Sequence, residues 1–253
     1  MFGRSNFSGS LPPVTKNLII INALLWVSEI LFPSFAPKML RLLGLHFIAA
    51  SDFNPLQFVT YMFIHDSSSP LHIFFNMFTL WMFGRTLERV WGSARFLVFY
   101  MICGIGAAMV QEAVWALTWH HDYVAEIARL NGQTYAATEQ FIDSVVAAGD
   151  SGWLANIARF KNDIITIGAS GAIFGLLLGF AFVFPNLPLY LFFIPIPIKA
   201  KYMVAGYCVI EFFLGISGSM GTVAHFAHLG GMLFALFVLL YWKKKGVLGG
   251  GFY

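Results

Sequence analysis

Charge is scarce in this chain: Asp, Glu, Lys and Arg together make up 11% of 253 residues, against 58% apolar. With 28 Phe and a mean hydropathy of +0.75, that balance excludes an ordinary water-soluble domain and puts the chain in a bilayer. Cysteine is nearly absent. Cys103 and Cys208 both lie in apolar runs, which excludes a disulfide framework and any CxxC or Cys/His zinc spacing. There is no HExxH and no pair of Asp residues within an apolar stretch, so zinc-dependent and aspartyl hydrolysis are both unsupported. The net charge of +3 comes from basic residues that border apolar stretches instead of forming a patch among exposed aromatics, and nucleic acid is not expected as a partner. No fixed-period repeat or low-complexity tract is present.

What is abundant is long apolar sequence. A span needs about 20 mostly apolar residues, and six segments qualify: 17–35, 71–87, 96–117, 164–184, 202–220 and 223–242. The expected fold is an all-α membrane protein, a six-transmembrane-helix bundle forming a single membrane domain over residues 1–253. No small-residue cleavage site follows the first segment before Pro33 and Pro37, so it reads as an uncleaved span. Leu187–Ile198 is also apolar, but Pro188, Pro195 and Pro197 interrupt any helix in lipid, and a short surface loop is expected.

With the N-terminus inside, the inner segments carry ten basic residues (Arg4, Lys16, Arg85, Arg89, Arg95, Lys199, Lys201 and Lys243–Lys245) and the outer segments five. That bias has the sign of positive-inside insertion with both termini cytoplasmic, as in a bacterial inner membrane. All six Asp residues fall in outer segments. Two outer segments are long, 36–70 and 118–163. The second is polar enough to leave the membrane, and Phe141, Ile142, Val145 and Val146 suggest an amphipathic helix there, either a small external cap or a plain insertion.

On this topology four polar residues share one depth near the outer face. Ser170 lies a few residues into the fourth span and His228 about five into the sixth, while His72 and Asn76 open the second, four apart on one helical face. Polar groups at membrane depth suggest a functional site. Their chemistry suits acyl transfer: imidazole activates a serine hydroxyl, and the resulting oxyanion needs fixed donors, for which His72, Asn76 and a backbone N–H at the helix start by Gly168–Ser170 are candidates. Gly171, Gly175 and Gly179 recur every four residues on span four, as do Ala227, Gly231 and Ala235 on span six. Such ridges let helices approach closely, as the Ser170–His228 pair requires, although they also serve plain bundle packing.

Four ordered blocks resemble the rhomboid family. They are Thr60–His65 with Leu71–Met77, which holds an HxxxN element; Leu87-Glu88 with Trp91-Gly92-Ser93 and Arg95-Phe96-Leu97; Gly168-Ala169-Ser170-Gly171, a GxSG nucleophile motif; and Ala227-His228-Leu229-Gly230-Gly231. The resemblance implies a Ser-His dyad without an Asp, cleavage of transmembrane protein substrates in the lipid bilayer, and no metal or cofactor. Where some members place a tyrosine under the catalytic histidine this chain has Phe174, whose ring can still stack. No Trp-Arg pair occurs in 36–70, and nothing can be carried from the family onto 118–163.

The remaining polar residues have plainer readings. His225 reads as an exposed helix-start residue and His65 as a loop histidine. Glu29, Gln111, Glu112 and Glu211 read as facing water or neighbouring helices, and Glu88 as pairing with Arg85, Arg89 or Arg95. Two other functions compete with proteolysis: a catalytically inactive rhomboid-like module that binds membrane proteins, and a six-span transporter, which would instead show inverted repeats around a midplane site. Substrate identity and oligomeric state are not legible.

Overall fold

The computed structural model describes residues 10–191, 194–217 and 223–248. Arg4 and positions 218–220, counted above in the charge bias and the fifth span, lie outside the described residues. The chain is mostly helical. It runs α1 (Pro13–Leu31), α2 (Ala36–Leu43), β1 (Leu45–His46), the short α3 (Gln57–Thr60), a 3-10 turn (Tyr61–Phe63), α4 (Pro70–Thr79), a π-turn (Leu80–Gly84) and α5 (Arg85–Trp91). Then follow α6 (Ser93–Asn131), α7 (Tyr135–Ala147), α8 (Ser151–Asp163), β2 (Ile165–Thr166), α9 (Ser170–Val183), β3 (Pro188–Leu191), β4 (Ile194–Lys199), α10 (Ala200–Ser217) and α11 (Val223–Lys244).

Among the described residues, α1, α6, α10 and α11 are each long and apolar enough to cross a membrane. The segment expected as the second span is helical throughout, but its register changes at the π-turn, a local widening that long helices tolerate over one turn. Helix α9 has 14 residues, about 21 Å at 1.5 Å per residue, shorter than a hydrocarbon layer of about 30 Å. Ser170 is the first residue of this short helix.

The centre of the bundle is α6, α9 and α11, packed through small residues. A Cβ added at Gly231 would stand 1.9 Å from the carbonyl oxygen of Gly171, so glycine there is a condition of the approach of α9 and α11. The ridge on α9 divides its work: Gly171 and Gly175 face α6 and α11, whereas Gly179 meets the rings of Trp91 and Phe99 instead. Those rings continue into a cluster with Trp242, at 4.8 and 5.2 Å from Trp91, which locks α5, α6 and α11 at the end remote from Ser170. Large apolar side chains left exposed on α1 and α10, such as Leu24, Phe212 and Phe213, are surface for lipid rather than water.

Several sequence expectations need correction. The helix that holds the third expected span, 96–117, runs on past it: α6 has 39 residues, about 58 Å, against a hydrocarbon layer of about 30 Å. Past that span it packs with α7 and α8 around buried Tyr123, Val124 and Ile142. This cap is built by soluble-protein rules: Gly132 ends α6 in the left-handed region at φ 63°, Thr134 accepts the Ala137 N–H to start α7, and Asp150 accepts two amides to start α8. Leu187–Ile198 is not a loop but the β3–β4 hairpin, in antiparallel register from Pro188 opposite Lys199. Prolines that forbid a helix are compatible with a two-stranded ribbon, where every strand is an edge.

Glu88 has donors other than the three arginines. Its carboxylate accepts from the Val14 and Thr15 amides (3.0 and 2.7 Å) and from the Thr15 and Ser93 hydroxyls (both 2.7 Å). An anion on the free amides of a helix start offsets both their missing partners and the helix dipole, and this one ties α1 to α5 and α6. Glu29, Gln111 and Glu112 face the protein interior rather than water; Glu112 accepts the Ile48 amide at 2.8 Å and so orders the 36–70 segment. The two-residue β1–β2 pairing then joins that segment to the entrance of α9.

Candidate active site

The start of α9 is shaped by its neighbours. The Gly168 amide donates to the Tyr61 carbonyl at 2.9 Å, and the Tyr61 hydroxyl donates to the Gly104 carbonyl at 2.7 Å, so the turn is fastened to α6. Gly168 has φ 118°, and a Cβ there would stand 3.0 Å from His72 Nε2. Glycine is thus required twice, for the backbone angle and for the approach of the imidazole. No side chain caps α9, which leaves amides of its first turn open for an anion.

Ser170 Oγ lies 2.8 Å from His228 Nε2. The Phe174 ring stacks on the His228 imidazole with centroids 4.1 Å apart and planes 6° from parallel, as the sequence suggested for that position. On the other side of the imidazole, Nδ1 is 2.9 Å from Glu211 Oε2, and His225 Nδ1 is 2.7 Å from the same oxygen. His225 is therefore no exposed helix-start residue: its side chain is 12% exposed. A carboxylate that only accepts places a hydrogen on each Nδ1, which leaves His228 Nε2 as acceptor for the Ser170 hydroxyl.

His72, Asn76 and Ser170 line one cavity of about 670 Å³, with Phe75, Phe174 and Tyr190 among its apolar walls. Asn76 Nδ2 donates to the His72 carbonyl at 2.9 Å, one turn back on its own helix, so one of its two amide hydrogens is engaged and the other is free. His65 differs from its sequence reading. It is fully buried, tilted against His72 with ring centroids 5.1 Å apart, and its Nε2 accepts a long, 3.5 Å bond from the Ala169 amide. Burial, reinforced by neighbouring His72, pushes its pKa down to about 3, which keeps the imidazole neutral and its lone pair available.

A family model described as Rhomboid domain matches residues 53–245, which contain every side chain just described. The chain belongs to the rhomboid family. Rhomboid proteins are generally intramembrane serine proteases. A relative, "Rhomboid protein 1, mitochondrial" of Saccharomyces cerevisiae (strain ATCC 204508 / S288c), is 25% identical over 253 residues, 96% of this chain. The chain spans 60% of that relative's length.

Sequence reasoning missed Glu211 and the burial of His225 and His65. The signal for Glu211 was a lone carboxylate inside an apolar run. What hid its role is that the sequence does not say which face of α10 meets α11.

Proposed function

We propose that this rhomboid-family chain is an intramembrane serine endopeptidase that hydrolyses peptide bonds of transmembrane proteins, with Ser170 as nucleophile and His228 as general base. The observation that carries this reading is the 2.8 Å contact of Ser170 Oγ with His228 Nε2 beside an apolar cavity. His228 takes the hydroxyl proton as Oγ attacks the scissile carbonyl, then returns it to the leaving amine. The open amides of the α9 start, His72 Nε2 and the second Asn76 amide hydrogen are the donors assigned to the oxyanion. Water, activated by the same imidazole, then hydrolyses the acyl-enzyme. The cavity lining suits an apolar segment that has locally left its helix, since a carbonyl within an intact helix is shielded and already hydrogen-bonded.

Six spans are assigned by adding α9 and the interrupted helix 70–91 to the four long helices, with both termini inside and the cap outside. An impermeant thiol reagent is expected to label a cysteine introduced within 118–163 from outside, and one at Lys244 only after the membrane is opened. The reverse pattern would invert the topology.

The chemical test is fluorophosphonate labelling of the purified chain. Wild type is expected to label and Ser170→Ala not to, with Ser170→Ala and His228→Ala each losing roughly 10⁴-fold or more of turnover on a model transmembrane substrate. Their double variant should be little worse than either. Folded wild type that fails to label would favour the inactive binding module, and activity retained by His228→Ala but lost in His225→Ala would move the base to His225.

A further inference from the structure

The carboxylate of Glu211 is unusual in its cost and in its company. It sits on α10 in an apolar run, its side chain 12% exposed, between two imidazoles of α11 that are 12% and 13% exposed. A carboxylate at membrane depth is expensive unless donors surround it, and here two ring N–H groups converge on the single atom Oε2. His225 has no other polar engagement: its buried Nε2 has no hydrogen-bond partner among the described residues. Its ring stands perpendicular to that of His228, with centroids 6.4 Å apart, so it meets Glu211 from a different direction.

Building on the assignment of Ser170 and His228, we propose that Glu211 is a positioning residue for the base, and that His225 holds Glu211 in place. Two constraints then fix the His228 imidazole. Phe174 sets the plane of the ring, and Glu211 sets its rotation and tautomer by accepting from Nδ1. The sequence Glu211–His228–Ser170 reproduces the order of acid, base and nucleophile in serine hydrolases, with the acid supplied by the adjacent helix. When Ser170 attacks, its proton moves to Nε2, and the Glu211 carboxylate faces the imidazolium that results. No proton passes on to Glu211. The family resemblance implied a dyad with no acid, so the carboxylate belongs to what is particular about this chain.

The same three residues offer ligand atoms that all lie within 4.8 Å of one another, a His₂Glu set that zinc can use. The separations of 2.7 and 2.9 Å from Oε2 are those of hydrogen bonds. Ligand atoms about 2.0–2.2 Å from a tetrahedral zinc stand farther apart than that.

The test uses the full chain in liposomes, with cleavage kinetics on a transmembrane substrate and the rate of fluorophosphonate labelling, which reads Ser170 nucleophilicity without substrate binding. Glu211→Ala and Glu211→Gln are each expected to lower kcat by roughly 10²-fold, with KM within about twofold and labelling slowed in parallel. His225→Ala should lower both rates by less. Glu211→Gln keeps the size of the side chain, so it carries the test if the alanine variant misfolds. Rates within twofold of wild type in both Glu211 variants would overturn the proposal while labelling abolished by Ser170→Ala left the nucleophile standing. Labelling that survived Ser170→Ala would instead remove the assignment on which the proposal rests. Wild-type activity lost to a chelator and restored by Zn²⁺ alone would also overturn it, turning the cluster into a metal site.

Discussion

The two halves of α6 live by different rules. Its first half packs through glycine and other small residues: Cys103 and Ala107 lie directly on Gly175 and Gly171, where a Cβ added to either glycine would stand 2.5–2.6 Å from them. Its second half meets α7 and α8 through Tyr123, Val124 and Ile142, ordinary large side chains filling an ordinary small core, with Phe160 edge-on to Tyr123 at 5.0 Å. In lipid, apolar area drives little association between helices, so contact must come from backbones brought close together. In water, area is enough. One helix obeys both rules along its length.

That contrast can be broken most severely at Gly231. Gly231→Val forces a branched side chain against the Gly171 carbonyl, which can be relieved only by moving α9 from α11 and so Ser170 from His228. Cleavage is expected to disappear and the thermal midpoint in detergent to fall by several degrees. A variant with wild-type turnover would mean that the close approach is not what aligns the pair.

A step down in size are the oxyanion donors. His72→Ala and Asn76→Ala are each expected to cost around 10²–10³ in kcat with little change in KM, because neither side chain joins helices together. Asn76→Ala loses only an intrahelical bond to the His72 carbonyl. Unchanged turnover in both would leave the α9 amides as the main stabilisers.

The smallest effect on chemistry is expected from the cap. Ile142→Ala removes a fully buried side chain and should destabilise the packing of α7 and α8 by about 2–5 kcal/mol, read as faster hydrogen exchange or proteolysis within 118–163. Cleavage of a short transmembrane substrate should stay within twofold. A tenfold loss would mean that the cap and the site are one unit.

How far the sequence carried depends on how local each signal was. Ser170, His228, His72 and Asn76 could be singled out because span position and helical spacing are local properties, and Phe174 came with the family resemblance. The amphipathic pattern around Phe141 and Ile142 likewise became α7. Partners distant along the chain were not legible. Glu88 was matched with nearby arginines, yet besides the Ser93 hydroxyl it accepts from groups of Val14 and Thr15, 74 and 73 residues away, which carry no sequence signature. Glu211 and His225 were set aside because each is unremarkable until α10 and α11 are side by side. The end of α6 was not legible, since hydropathy marks a span whereas backbone hydrogen bonding carries the helix on to Asn131. The 187–198 hairpin was missed because proline was read as a veto on helix without asking what it still permits.

The unbroken run of α6 through the membrane surface has a mechanical consequence. Residues 118–131 continue the helix for about 21 Å beyond the expected end of the span, with no flexible joint between the stretch that packs on Gly171 and the stretch that carries the cap. A tether would let the cap wander, but here it is held at both ends, by the unbroken run of α6 and by Asn162 of α8, which bonds to Ser51 and to the Asp52 amide. The cap is thus fixed to the bundle at two points, and bending at one of them alone does not free it.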